Sequence, residues 1–163
     1  MNGRVVLRVM TPTDAADIRR LNEDPEVLRH VHDAPFPDRA AAERWIANIG
    51  KELPHGFGRW SITLPDGTWI GRCSLRRGDD GITLMGYRLL REHWGKGHGT
   101  DTVGALLHLA FHTFGLDSVT SLVAPDNHAS RRVLEKHGAR LVGKRAAPHF
   151  PDALVYRIER KAG

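Results

Sequence analysis

A chain of 163 residues with 40% hydrophobic and 26% charged side chains has the makeup of a globular protein, long enough for one proper core and short for two. No apolar run approaches the roughly 18 residues that span a bilayer, and the opening MNGRVVLRVM has no signal-peptide core, so the expectation is a cytoplasmic protein without membrane segments. The single cysteine, Cys73, excludes an internal disulfide framework, while a net charge of +5 and a pI near 9.9 favour an anionic partner.

RVVLRVM reads as a strand ended by TPTD, where Thr11 caps a helix, Pro12 takes its first position and Asp14 lies in its first turn. That helix is expected from Pro12 to Asn22, and a second from Asp24 to Val31, before the proline-rich break HDAPFPD. Asp38 caps the next helical run, RAAAERWIANIGKE, which is expected to end before Leu53. Beyond LPHG the pattern changes to strands. FGRWSITL, the turn PDGT and WIGRCSLRR form a hairpin around Asp66-Gly67, GDDG makes a second turn, and ITLMGYRLL is a third strand. Val103, Leu106, Leu107, Ala110, Phe111 and Phe114 then mark one buried stripe of a helix from Gly99 to Phe114.

SVTSLVA follows as a strand, parallel to ITLMGYRLL because a long helix separates them. A short helix, HASRRVLEKH, starts at the cap Asn127 and stops at Gly138, and the strands ARLVGKR and DALVYRIER close the chain. The expectation is a single mixed α/β domain over residues 1–163.

The stretch REHWGKGHGTDTVGALLHLAF carries the chemistry. A strand, a glycine-rich turn and a helix N-terminus present several backbone N–H groups toward one point, where the helix dipole also favours negative charge. A pyrophosphate suits such a cradle, with Lys96 as an additional mobile charge. Neither common phosphate motif fits. A Walker loop has no match around Gly95-Lys96, and a dinucleotide fingerprint fails because Thr100 stands where its last glycine belongs.

The residues do resemble the acetyl-CoA motif of the GNAT acyltransferase superfamily, in its RimJ/RimL-type branch. Its [QR]-x-x-G-x-[GA] pattern falls on Trp94, Gly95, Lys96, Gly97, His98 and Gly99, with tryptophan replacing the usual first residue. VAPDNHASRRVLEKHGARLVG is similar to the family's N-x-x-S-x-x-x-L-E-K-x-G segment at Asn127, Ser130, Leu134, Glu135, Lys136 and Gly138. RVMTPTDAADI, Trp60 with Ile62, and DALVYRIE extend the likeness over nearly the whole chain.

The resemblance implies a mainly antiparallel central sheet with helices on both faces and a parallel strand pair that splays apart. Acetyl-CoA would lie in the gap, its pantetheine on the backbone of Arg88, Leu89 and Leu90. Its pyrophosphate would sit on the amides from Gly95 through Lys96, Gly97, His98 and Gly99 to Thr100, beside Trp94. An amine acceptor would attack the thioester directly. The tyrosine acid of many relatives is replaced here by Leu134, which leaves Ser130 as the proton donor and Asn127 to bind pantetheine or hold the helix entry. The usual glutamate base is replaced by Leu84, leaving Glu92, His93, His149 and Asp152 as candidates and favouring an acceptor that needs little deprotonation.

A ribosomal-protein N-terminus, another peptide, an aminoglycoside-like antibiotic and a polyamine all fit such an acceptor. A homologue that binds CoA without turnover is the alternative. Nucleic acid is the weaker partner class, since no recognised motif accompanies the positive charge. His108 and His112 lack a third ligand, so no metal is expected, and Cys73 reads as a packed thiol. Trp45 and Trp60 read first as packing residues and second as acceptor-site walls. A homodimer is compatible with the sequence.

Overall fold

The computed structural model describes residues 4–31, 33–49, 57–78, 80–147 and 150–162. Seven strands, β1 (Val6–Val9), β2 (Gly58–Thr63), β3 (Trp69–Arg77), β4 (Thr83–Leu89), β5 (Ser118–Val123), β6 (Arg140–Ala147) and β7 (Phe150–Glu159), form one sheet in the order β1-β2-β3-β4-β5-β7-β6. Every neighbouring pair is antiparallel except β4 and β5. Helices α1 (Ala15–Leu21), α2 (Pro25–Leu28) and α3 (Arg39–Ala47) cover one face, burying Ile18, Leu21, Val27, Ala42 and Ile46 against Met10, Trp69 and Leu90. Helices α4 (His98–His108) and α5 (His128–Lys136) cover the other, with Val103, Leu106, Leu107 and Leu134 packed on Ile62, Leu75 and Val119. The mixed α/β sheet with helices on both faces is the architecture read from the sequence. No helix among the described residues is long and apolar enough to cross a membrane.

Four local differences have physical causes. The first helix opens as a 3-10 turn, Pro12–Asp14, because Asp14 turns inward. Its carboxylate accepts from Thr11 N–H at 2.9 Å, Ser61 Oγ at 3.0 Å and the two Arg8 Nη atoms at 2.9 and 2.7 Å. The second helix is one turn, Pro25–Leu28, shorter than the span Asp24–Val31, and Asp24 serves as its cap by accepting from Glu26 N–H at 3.0 Å. Asp38 caps α3 as expected, accepting from Ala41 N–H at 2.8 Å, but the helix closes at Ala47, where Asn48 Nδ2 donates to Arg44 C=O at 2.9 Å, short of the expected end near Leu53, which itself lies outside the described residues. The helix after the glycines is regular only to His108. Over Leu109–Thr113 it widens into a π-turn, closed by Phe114 N–H on Leu109 C=O at 2.9 Å. The extra residue sets Phe114 against Phe57 and Trp60, at ring-centroid distances of 5.3 and 6.4 Å.

The parallel pair is where the sheet opens. β4 and β5 share one register pair among the described residues, Leu84 with Thr120, and then separate toward their C-terminal ends. At the point of separation the Ser121 hydroxyl donates to Met85 C=O at 3.1 Å, so a side chain finishes the pairing that the backbone has left.

Candidate active site

A cleft of about 500 Å³ begins in that gap and runs along the start of α4. β4 leads through a 3-10 turn (Arg91–His93) into the glycine turn, where Gly95 and Gly97 hold φ of +71° and +83°, a region that side chains rarely adopt. Trp94 Nε1 donates to Leu89 C=O at 2.9 Å and so ties the turn to the strand it leaves. No side chain caps α4, and its first turn lines the cleft at Gly97, His98, Gly99 and Thr100. Open helix donors, left-handed glycines and the helix dipole together make an anion seat.

Arg4 braces the seat from behind. Its Nη1 donates to Lys96 C=O at 3.4 Å, and its Nε lies 2.7 Å from Asp101 Oδ2, close but off the hydrogen-bonding line, so that pair is electrostatic. The rings of His93 and His98 stand 5.9 Å apart in the cleft wall, each with a buried Nδ1 lacking a partner. Burial, followed by the charges of His93 and Arg4, holds the His98 pKa below the usual histidine value. Lys96 does not line the cleft.

The strand contributes by alternation. Met85 C=O faces β5, since it takes the Ser121 hydroxyl, whereas Leu90 N–H donates to Ile70 C=O of β3 at 2.8 Å. Main-chain groups of Tyr87 and Leu89 therefore face the gap, and those of Arg88 face β3. Arg88 still lines the cleft through other atoms. Leu90 does not; it is buried in the core beneath α1 and α3.

A second cleft, of about 230 Å³, opens through the same gap, and the two share His30, Val31, Tyr87, Arg88, Asn127 and Ser130. The sequence-predicted pair Asn127 and Ser130 thus lies at the junction. Asn127 Oδ1 accepts from Ser130 N–H at 3.3 Å, so Asn127 is the cap of α5. Ser130 stands beside the Tyr87 phenol. Burial pushes the Tyr87 pKa above its ordinary value against the opposing effect of the Ser130 hydroxyl, so the phenol keeps its proton at neutral pH. A Cβ on Gly99 would come within 3.2 Å of the phenol oxygen, which places Tyr87 directly over the start of α4.

His30 completes the junction. Its Nδ1 stands 3.2 Å from Asp126 Oδ1, and the residue lines both clefts. The bases named from the sequence are elsewhere. Glu92 is 61% exposed and pairs with Arg20 at 3.2 Å, Asp152 is exposed on β7, and His93 belongs to the first cleft; His149 lies outside the described residues. Sequence reasoning missed His30 and Tyr87 as site residues. Their signals were present, in the RHVHDAPFPD rim and the Gly-Tyr pair of β4, but nothing in the spacing joins His30 to Asp126.

A sheet of this topology, opened at its one parallel pair beside an uncapped helix start, defines an acyl-CoA-type transferase fold. Residues 4–140 match the acetyltransferase (GNAT) domain family, and the chain belongs to that family, whose members use acetyl-CoA. It is 32% identical over 135 residues to the uncharacterized N-acetyltransferase p20 of Bacillus licheniformis, covering 80% of this chain and 76% of that one. An acetyltransferase from Agrobacterium tumefaciens is 26% identical with a TM-score of 0.79, covering 96% of this chain and 91% of that one. The aminoglycoside acetyltransferase AAC(6')-Ib, solved with coenzyme A, shares the fold at a TM-score of 0.80 and 22% identity, with 96% and 95% covered.

Proposed function

We propose that this chain is a RimJ/RimL-like, acetyl-CoA-dependent N-acetyltransferase, one domain over residues 1–163 acting in the cytoplasm, that acetylates a primary amine. A peptide or ribosomal-protein N-terminus and a small-molecule amine are the acceptor classes. The carrying observation is the uncapped start of α4 opening into a cleft that meets a second cleft at Tyr87, Ser130 and His30.

The residues present fit the cofactor. Gly95, Gly97, His98, Gly99 and Thr100 offer main-chain donors to a diphosphate, and charge-assisted bonds of this kind contribute about 1.5–3 kcal/mol each. Leu89 and Tyr87 offer strand groups to the pantetheine arm. Acetyl-CoA supplies an acyl group activated as a thioester. The acceptor nitrogen forms the new N–C bond as the C–S bond breaks. Its surplus proton passes to His30 Nε2, with Asp126 stabilising the imidazolium formed. The departing sulfur takes a proton from the Tyr87 hydroxyl, which Ser130 orients and helps to re-protonate.

Calorimetric titration with CoA and thiol-release assays test this reading. Saturable CoA binding that Gly97→Trp abolishes, with amine-dependent thiol release in the parent protein, is the expected result. CoA binding that Gly97→Trp leaves unchanged would overturn it.

A further inference from the structure

The second cleft carries charge of one sign. Arg72 stands opposite Arg88 across β3 and β4, and Arg76 opposite Leu84, so strand alternation sets all three arginines on the α1–α3 face of the sheet. All three line the cleft, and no aspartate or glutamate among the described residues does. The nearby acids are engaged. Asp33 Oδ2 takes Arg72 Nη2 at 3.2 Å and Arg88 Nη1 at 2.9 Å, while Asp126 faces His30. One carboxylate is thus divided between two guanidinium groups, and Arg76 makes no ion pair among the described residues.

Arg72 is the most constrained of the three. It is 7% exposed, stacks over Trp45 at 4.8 Å, and buries its Nε without an acceptor. Burial, then repulsion from Arg88 and Arg59, pushes its pKa down to about 9. A guanidinium held this way is costly to the empty protein and is relieved by a further anion.

We propose that the second cleft is an anion subsite for the acceptor, and that the acceptor is a small amine bearing a carboxylate or phosphate on the same molecule. This rests on the acetyl-transfer reading above and narrows it. The guanidinium fork matches both anions. The cleft volume lies below the roughly 300–1,000 Å³ of drug-sized sites, which suits an amino-acid-sized guest. The same positive field disfavours an ammonium and favours a neutral amine, which lowers the demand on a base where Leu84 replaces the family's glutamate. A polycation meets like charge here, so the fold shared with an aminoglycoside acetyltransferase does not extend to its acceptor.

The test is a panel of amines offered to the full chain with saturating acetyl-CoA or CoA. Glutamate and O-phosphoserine represent the two anions, spermidine and an aminoglycoside the polycations, and calorimetry accompanies thiol release. The anionic amines should bind and show kcat/KM values at least about tenfold above the polycations. Arg76→Gln, at an exposed position, should raise their KM about tenfold while leaving KM for acetyl-CoA unchanged, as should Arg72→Met if its melting temperature is retained. Faster turnover of the polycations, anionic amines that neither bind nor react, or an unmoved KM in Arg76→Gln would each overturn the subsite. Failure of CoA itself to bind would overturn the transferase reading instead, and calorimetry with the anionic amines alone would still decide the subsite.

Discussion

The two halves of the site are built from different material. On the proposed cofactor side the candidate groups are main-chain amides of the glycine turn and α4, plus strand groups of Tyr87 and Leu89. On the proposed acceptor side they are side chains, Arg72, Arg76, Arg88, His30 and Tyr87, delivered by three separate elements. Backbone recognition tolerates drift in side chains as long as the glycines keep their φ angles. Side-chain recognition changes with one substitution. A scaffold made this way can keep its donor and alter its acceptor.

That contrast can be broken or sharpened by mutation. The largest expected effect is at the turn. Gly97→Trp strains a residue at φ +83° and drives its Cβ into the Arg4 guanidinium that braces the turn, so CoA affinity should fall about a hundredfold or more, equal to losing two charge-assisted bonds, as read by calorimetry. Lys96→Ala, one residue away and outside the cleft, should change it less than about threefold. Next comes proton transfer. His30→Gln should lower kcat about a hundredfold with CoA affinity intact, and Asp126→Asn should follow in the same direction by a smaller factor. Tyr87→Phe should lower kcat about tenfold, while Ser130→Ala costs less, since it removes only the orienting partner.

A smaller effect tests the scaffold common to both halves. Asp14 is buried, which pushes its pKa up, yet hydrogen bonds from Arg8, Thr11 and Ser61 outweigh this and hold it below the usual carboxylate range. Its stabilising contribution is therefore complete above the unfolded value of about 3.9 and is lost as pH falls through the lower folded value. Asp14→Asn should destabilise the protein by about 2 kcal/mol at pH 7, with the difference in melting temperature closing below about pH 4. Asn127→Ala, which removes one helix cap, should cost about 1 kcal/mol by chemical denaturation.

Legibility in the sequence followed the same division. The glycine turn, the Asn127 cap, the Asp66-Gly67 hairpin and the stripe on α4 are local, so spacing along the chain reports them. The order of the elements followed from those local signals, and their two-faced packing from the family resemblance. Leu90 was expected at the cofactor because it follows Leu89, but strand alternation turns its amide toward β3, and its side chain sinks into the opposite core. His30 was absent from the bases read from the sequence for a different reason. His30 gains its meaning from Asp126, and Arg72 from Arg88 and Asp33, pairs that only the folded sheet brings together. The π-turn at Leu109 left no trace in the apolar period, because the ring contacts of Phe114 that accompany it involve residues far back in the chain.

The indole of Trp94, anchored to Leu89 and 44% exposed in the cleft wall, has a practical corollary. Docking of a nucleotide beside it, as proposed above, would alter the polarity around that ring and give the protein an intrinsic optical gauge of occupancy. Its emission, isolated by comparison with Trp94→Phe, would report loading in real time without any label.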